Sequence, residues 1–167
     1  FMAKPYADRP GNGMHLHISL LDGQGRNIFD DGSDAGSPFL GHALAGALDG
    51  LADSMLIFAP HQNSYRRFAI ESHAPMAVCW GYENRTAALR VPLGPPSQRR
   101  IEHRVSGADA NPYLVLAAIL GAILNGIEDQ QPPPPPITSS SYALDLPALP
   151  TSCLLYTSPS PRDSIRS

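Results

Sequence analysis

The sequence predicts an α+β domain, an antiparallel sheet with helices packed on it, and three observations carry that reading. Apolar and polar residues alternate from Met14 to Leu20, the period-2 pattern of a half-buried strand. Residues 38–58 and 111–127 carry apolar side chains at helical spacing. Strand-like runs are interrupted by a few helices without regular β-α alternation, which suggests segregated α and β elements.

After an approach segment, Phe1–Pro10, the spacing gives a strand over Met14–Leu21, a tight turn at Asp22-Gly23-Gln24-Gly25 and a returning strand over Arg26–Phe29. A polar loop, Asp30–Ser37, leads into a helix over Pro38–Phe58. Ser37 and Pro38 supply its N-cap and first turn, and Leu40, Ala43, Leu44, Ala47, Leu48, Leu51, Met55 and Leu56 its buried stripe. Ala59–Pro75 reads as irregular. Strands follow at Met76–Trp80, Thr86–Val91 and Arg100–Val105, with a Gly-Pro-Pro turn before the last. Asn111 and Pro112 open a second helix whose buried side carries Tyr113, Leu116, Ala117, Leu120, Ile123, Leu124 and Ile127. Its other flank is Ala, Val and Ile, so burial on more than one side is expected. Pro132–Pro136 end it.

A chain of 167 residues is long enough for one domain with a real core. A net charge of −3 supplies no basic field for nucleic acid or an anionic membrane. Two cysteines, Cys79 and Cys153, make no disulfide framework, and a reduced cytoplasmic setting is the default. No signal-peptide pattern is seen, and the longest apolar run, Tyr113–Ile123, is too short to span a bilayer. The chain opens on Phe1 inside what reads as a strand or loop, so it is expected to be a fragment. Residues 1–150 form the expected domain. Thr151–Ser167 is Ser/Thr/Pro-rich and aperiodic, and reads as a non-native, disordered tail resembling translated adaptor sequence.

His15 and His17 leave their strand on the same face. Launched from Pro10-Gly11-Asn12-Gly13, they suit a metal or phosphate site, or are surface histidines; the pair alone leaves both open. Residues 1–150 hold nine arginines against one lysine, and seven of the nine lie between Arg66 and Arg104. Such a bias favours planar, bidentate recognition of carboxylate or phosphate. Asn84-Arg85-Thr86-Ala87-Ala88-Leu89-Arg90-Val91-Pro92 sets guanidiniums at either end of a short strand. Arg99-Arg100-Ile101-Glu102-His103-Arg104 puts Arg100, Glu102 and Arg104 on one strand face. A carboxylate between two cations stays ionised, as a metal ligand must. The alternative is a surface salt-bridge ladder, whose exposed pairs contribute only ~0–1 kcal/mol each. Asn63-Ser64-Tyr65-Arg66-Arg67-Phe68 lies in the irregular stretch, as a ligand loop or an ordinary polar one. Trp80-Gly81-Tyr82 is core or a wall against a flat ligand.

These motifs, with Ala110-Asn111-Pro112-Tyr113-Leu114, occur in the order and spacing of the glutamine synthetase catalytic domain, which residues 1 to about 150 resemble. The resemblance implies a partial catalytic domain of an enzyme that uses ATP and Mg²⁺ or Mn²⁺ to phosphorylate the side-chain carboxylate of glutamate. An amine then attacks the γ-glutamyl phosphate. It implies His15 and Glu102 as metal ligands and His17, Ser19, Arg90 and Arg100 as nucleotide contacts. Gly11, Arg67, Arg85 and Arg104 would bind glutamate, with Arg67 and Arg85 also meeting the transferring phosphoryl group. A ring-shaped homo-oligomer, whose neighbouring subunits complete each site, is implied as well.

Two departures bear on the nucleophile. Where glutamine synthetases carry a flap glutamate after the double arginine, this chain has His73, with Glu71 two residues away; Pro10 replaces an asparagine. Both resemble the γ-glutamylpolyamine synthetase branch, such as glutamate–putrescine ligases. Ammonia use by a glutamine synthetase, and a catalytically inactive member, are the alternatives. The chain by itself is expected to be inactive, since it holds only two of the metal ligands.

Overall fold

The computed structural model describes residues 1–70 and 72–153. Most of the tail expected to be disordered, and Glu71, lie outside them. Four three-residue strands form one sheet: β1 (Leu16–Ile18), β2 (Trp80–Tyr82), β3 (Leu89–Val91) and β4 (Ile101–His103), in the order β1-β4-β3-β2. The helices are α1 (Pro38–Asp49), the short α2 (Met55–Phe58) and α3 (Gln62–Tyr65), and α4 (Pro112–Asp129). The α+β class holds, with one correction to the sheet. β1–β4 and β4–β3 are antiparallel, but β3 and β2 are parallel. A parallel pair usually needs a long crossover. Here the strands are only about 10 Å long, a distance the six-residue connection 83–88 covers without a helix.

Other boundaries shift for local reasons. The strand expected over Met14–Leu21 pairs continuously only at 16–18, and single bridges join Gly13 to Gly107 and Leu21 to Asn27. The expected returning strand is reduced to that last bridge. The strand expected at Met76–Trp80 begins at Trp80, and Ala77 bridges to Ala148 instead. The long first helix stops at Asp49, where Gly50 caps it by donating to Gly46 O, and a turn precedes α2. Glycine is a poor helix interior residue, which accounts for the break.

Register decides what each sheet face carries. Leu16, His103 and Leu89 lie opposite one another, so their side chains share the core face with Ile18, Ile101 and Val91. His17, Glu102, Arg90 and Gly81 form the adjacent row, whose side chains leave the other face. His103 is fully buried against the Phe58 ring, centroids 4.7 Å apart, and neither ring nitrogen has a hydrogen-bond partner. Burial, aided by His15, pushes its pKa down to about 3, so it is a neutral core side chain.

α4 starts as expected: Asn111 Oδ1 accepts from Tyr113 N at 3.0 Å and Leu114 N at 3.4 Å. The Ala/Val/Ile flank is buried as expected, but of the expected first side only Ile123 is. Val115, Ile119, Ile123 and Gly126 are buried, whereas Tyr113, Leu116, Leu120 and Leu124 are exposed. α4 meets α1 where Gly46 and Gly126 approach so closely that a Cβ on either would lie 2.6 Å from the other's Cα. That contact turns one flank inward, and among the described residues no element covers the other. A second correction concerns length. With 18 residues of mean hydropathy 1.3, α4 is long and apolar enough to cross a membrane by length and composition alone.

Gly126→Ala should destabilise the fold although alanine is the better helix former, because its methyl has no room against α1. Ile123→Ala should cost about 2–5 kcal/mol and Leu124→Ala far less, both read by urea unfolding. For His103, the folded pKa lies below the unfolded one, so the unfolded chain binds the extra proton. Its stabilising share is full above the unfolded value and is lost as pH falls from about 6.5 towards 3. His103→Leu should therefore flatten the pH dependence of unfolding free energy in that window.

Candidate active site

Glu102 is the centre of the polar face, with its carboxylate only 5% exposed. Oε2 accepts from Arg90 Nη1 at 2.7 Å, and Oε1 accepts from Arg104 Nη1 at 2.9 Å. His15 Nδ1 lies 3.2 Å and His17 Nε2 3.8 Å from Oε1. Burial opposes the charge, but the Arg90 hydrogen bond and the fields of Arg104 and Arg90 outweigh it and hold the carboxyl below its usual range. The same burial, with Arg104 beside it, pulls His15 down, so its imidazole is neutral near pH 7. Arg100 Nε donates to His17 Nδ1 at 3.1 Å, which turns the ring's Nε2 towards Glu102.

A neutral imidazole nitrogen and an ionised carboxylate oxygen, 3.2 Å apart, fit adjacent positions on a hard divalent ion. Octahedral ligands about 2.1 Å from Mg²⁺ stand about 3 Å from each other. No group of three or more His, Cys, Asp or Glu side chains suited to a metal occurs among the described residues. The chain therefore offers part of a coordination shell.

The remaining arginines divide into anchored and available ones. Arg67 is buried; Nη1 donates to Ser106 O at 3.1 Å and Nη2 to Val105 O. Burial lowers its pKa to about 10, an effect that Asp109 opposes, and it remains a cation. The glycine-rich turn wraps it: a Cβ on Gly11 would lie 2.6 Å from Arg67 Cγ, and one on Gly13 2.7 Å from Nη1. Gly11 is required there, since its Cβ would also lie 2.8 Å from the Ala3 carbonyl oxygen. Arg104 Nη2 donates to Arg85 O at 2.9 Å and His73 O at 3.4 Å. The Arg85 side chain is exposed and its guanidinium makes no hydrogen bond among the described residues. Ser19 lies on the His15–His17 face, its hydroxyl donating to Arg99 O at 3.1 Å. Thus His15, His17, Arg90, Arg100, Glu102 and Arg104 converge, Gly11 and Arg67 form an anchor beside them, and Arg85 stands at the rim.

Sequence reasoning missed three contributors. Glu83 pairs with Arg90. Asp109 accepts from Ser64 Oγ at 2.6 Å. Tyr142 donates to Ala74 O at 2.9 Å, which ties the segment after α4 to the loop carrying His73. Each looks like an ordinary loop residue, because only the fold brings it to its partner.

The model of the family described as "Glutamine synthetase, catalytic domain" matches residues 1–153. The chain belongs to that family. It is 48% identical over 130 residues to the gamma-glutamylputrescine synthetase PuuA of Escherichia coli K12, covering 78% of this chain and 28% of that protein. It is 45% identical over 151 residues to the gamma-glutamylethanolamide synthetase GlnA4 of Streptomyces coelicolor, covering 90% and 32%. A solved structure titled as a GmaS/ADP complex superposes with a TM-score of 0.82 at 32% identity, over 92% of this chain and 37% of that one. The chain thus spans about a third of the length of the relatives it matches.

Glu102→Ala removes the shared partner of Arg90 and Arg104; Arg90 keeps its ion pair with Glu83, but the buried Arg104 is left with no carboxylate partner. The expected loss is about 3–5 kcal/mol at pH 7, measured by urea unfolding.

Proposed function

We propose that this chain is part of an ATP-dependent ligase that joins the γ-carboxylate of glutamate to an amine, a polyamine such as putrescine being preferred, through a γ-glutamyl phosphate. The observation that carries this reading is Glu102, ionised and paired with a neutral His15 inside an arginine frame. The kinship with amide-forming relatives of putrescine and ethanolamine supports it.

Phosphoryl transfer needs positioning and charge neutralisation more than covalent chemistry from the protein. His15 and Glu102 would hold a Mg²⁺ or Mn²⁺ ion, which when bound neutralises phosphate charge. Arg85, exposed and without a hydrogen bond of its own, is the guanidinium best suited to meet a substrate carboxylate or the transferring phosphoryl group. Arg100, His17 and Ser19 line the strand edge proposed for the nucleotide phosphates, with Arg90 behind them. The donors of Arg67 and Arg104 are turned to backbone carbonyls and Glu102, so their part is to shape the pocket around glutamate. Gly11 adds backbone that only a glycine brings this close to Arg67. His73 has φ 57° and turns its carbonyl to Arg104, leaving an exposed imidazole where ammonia-using relatives carry a carboxylate. That loss of acidity favours an organic amine over ammonium. A homo-oligomeric ring that completes the metal shell, and a cytoplasmic setting, belong to the same proposal.

The test is ADP release by the full-length protein carrying this segment, with glutamate and either putrescine or ammonium. Putrescine should be preferred at least tenfold in kcat/KM, and the 167-residue chain alone should be inactive. Turnover with ammonium alone would overturn the amine assignment. No glutamate-dependent ADP release with either would overturn the ligase reading.

A further inference from the structure

Glu83 has no part in the roles assigned above, yet its geometry is specific. It follows β2 with φ 50°, a left-handed conformation that residues with a Cβ seldom adopt. Its backbone N–H donates to Val91 O at 3.0 Å, and its Oε2 accepts from Leu93 N at 2.7 Å. Oε1 accepts from Arg90 Nη2. Arg90 therefore bridges two carboxylates, Nη2 on Glu83 and Nη1 on Glu102, while its buried Nε has no partner. A guanidinium facing a single carboxylate prefers the two-pronged arrangement that engages both oxygens. Glu83 draws one prong away, so Arg90 meets Glu102 only at Oε2. Oε1 accepts from Arg104 Nη1 at 2.9 Å and also stands 3.2 Å from His15 Nδ1 and 3.8 Å from His17 Nε2.

We infer that Glu83 is a positioning residue: by holding one side of the Arg90 guanidinium, it keeps Arg90 on a single oxygen of Glu102 and leaves the other, which Arg104 also holds, open to His15. A glycine or asparagine would fit the backbone at residue 83 with less strain. What glutamate adds there is a carboxylate long enough to reach both Arg90 and the Leu93 N–H. The consequence for a divalent ion rests on the ligase reading, whereas the Arg90 geometry does not.

The test uses the 167-residue chain and its Glu83→Gln variant, which keeps the acceptor for Leu93 N–H and removes the charge. In a crystal structure of the variant, Arg90 is expected to swing onto both oxygens of Glu102 and Oε1 to turn from His15. An unchanged Arg90–Glu102 arrangement would overturn the inference. Mn²⁺ alone is then titrated while the NMR signals of the His15 ring are followed. The variant should need at least threefold more Mn²⁺ for half-broadening, and that difference should vanish in an Arg90→Met background. An equal effect of Glu83→Gln with and without Arg90 would show that Glu83 acts directly, and would overturn the positioning role. If Mn²⁺ leaves the wild-type His15 signals untouched, the metal reading fails, and the crystal structure still decides Glu83.

Discussion

A carboxylate that is nine-tenths buried must be compensated where it stands, and the arrangement around Glu102 follows from that requirement. Arg90 reaches it from the neighbouring strand and Arg104 from two residues along its own chain. Neither contact survives a change of register. A one-residue slip of β4 would send Glu102 into the core and bring His103 or Ile101 to the polar face. The apolar row Leu16, Leu89, Val91 and Ile101 is therefore as much a part of the site as the arginines, because its burial holds the register that aligns them.

The preference for arginine over lysine follows from how these cations are used. Arg104 joins one carboxylate and two carbonyls from separate loops, and Arg67 joins two successive carbonyls beneath the glycine turn. Arg99 does the same for the loop before α1, donating to Ser33 O and Asp34 O at 2.7 Å each. A planar fork fixes two acceptors at a set spacing, which a single ammonium does not. The concentration of arginine was legible in the sequence; the division of labour was not. Arg67 and Arg104 sit in motifs that read as ligand-facing, yet burial turns their donors inward, whereas Arg85 is exposed.

Local signals carried the parts of the fold that depend on neighbours in sequence. Ser37 and Asn111 cap helices because their side chains reach N–H groups two or three residues on, and α4 stops just short of the prolines, with Gln130 in the left-handed conformation donating to Gly126 O. The same-face placement of His15 and His17 needed only the strand period. What failed depended on distant partners. Periodicity showed that α4 is apolar on two flanks but not which flank faces α1; the Gly46–Gly126 contact decides that, and neither glycine contributes to an apolar pattern. The parallel pairing of β2 and β3 was hidden because strands of three residues need no recognisable crossover. Glu83 was invisible for a similar reason: its partner lies seven residues away across a reversal that brings β3 beside it.

The electrostatics of the site also differ from those of the whole chain. A net charge of −3 argues against a broad basic surface for polyanions. Yet five arginines lie in this region against three carboxylates: Arg90 and Arg104 on Glu102, Arg90 also on Glu83, Arg67 facing Asp109, and Arg85 and Arg100 beside them. The surplus is positive and local, on a surface whose walls are partly buried, where charges are screened less than in open solvent. Such a field acts over the span of one small anion rather than along a backbone of phosphates. It suits a small ligand that brings several negative charges to one point. Neutralising Glu102 or Glu83 would raise that surplus and also free the guanidiniums to rearrange. The two acids therefore aim the positive field as well as temper it.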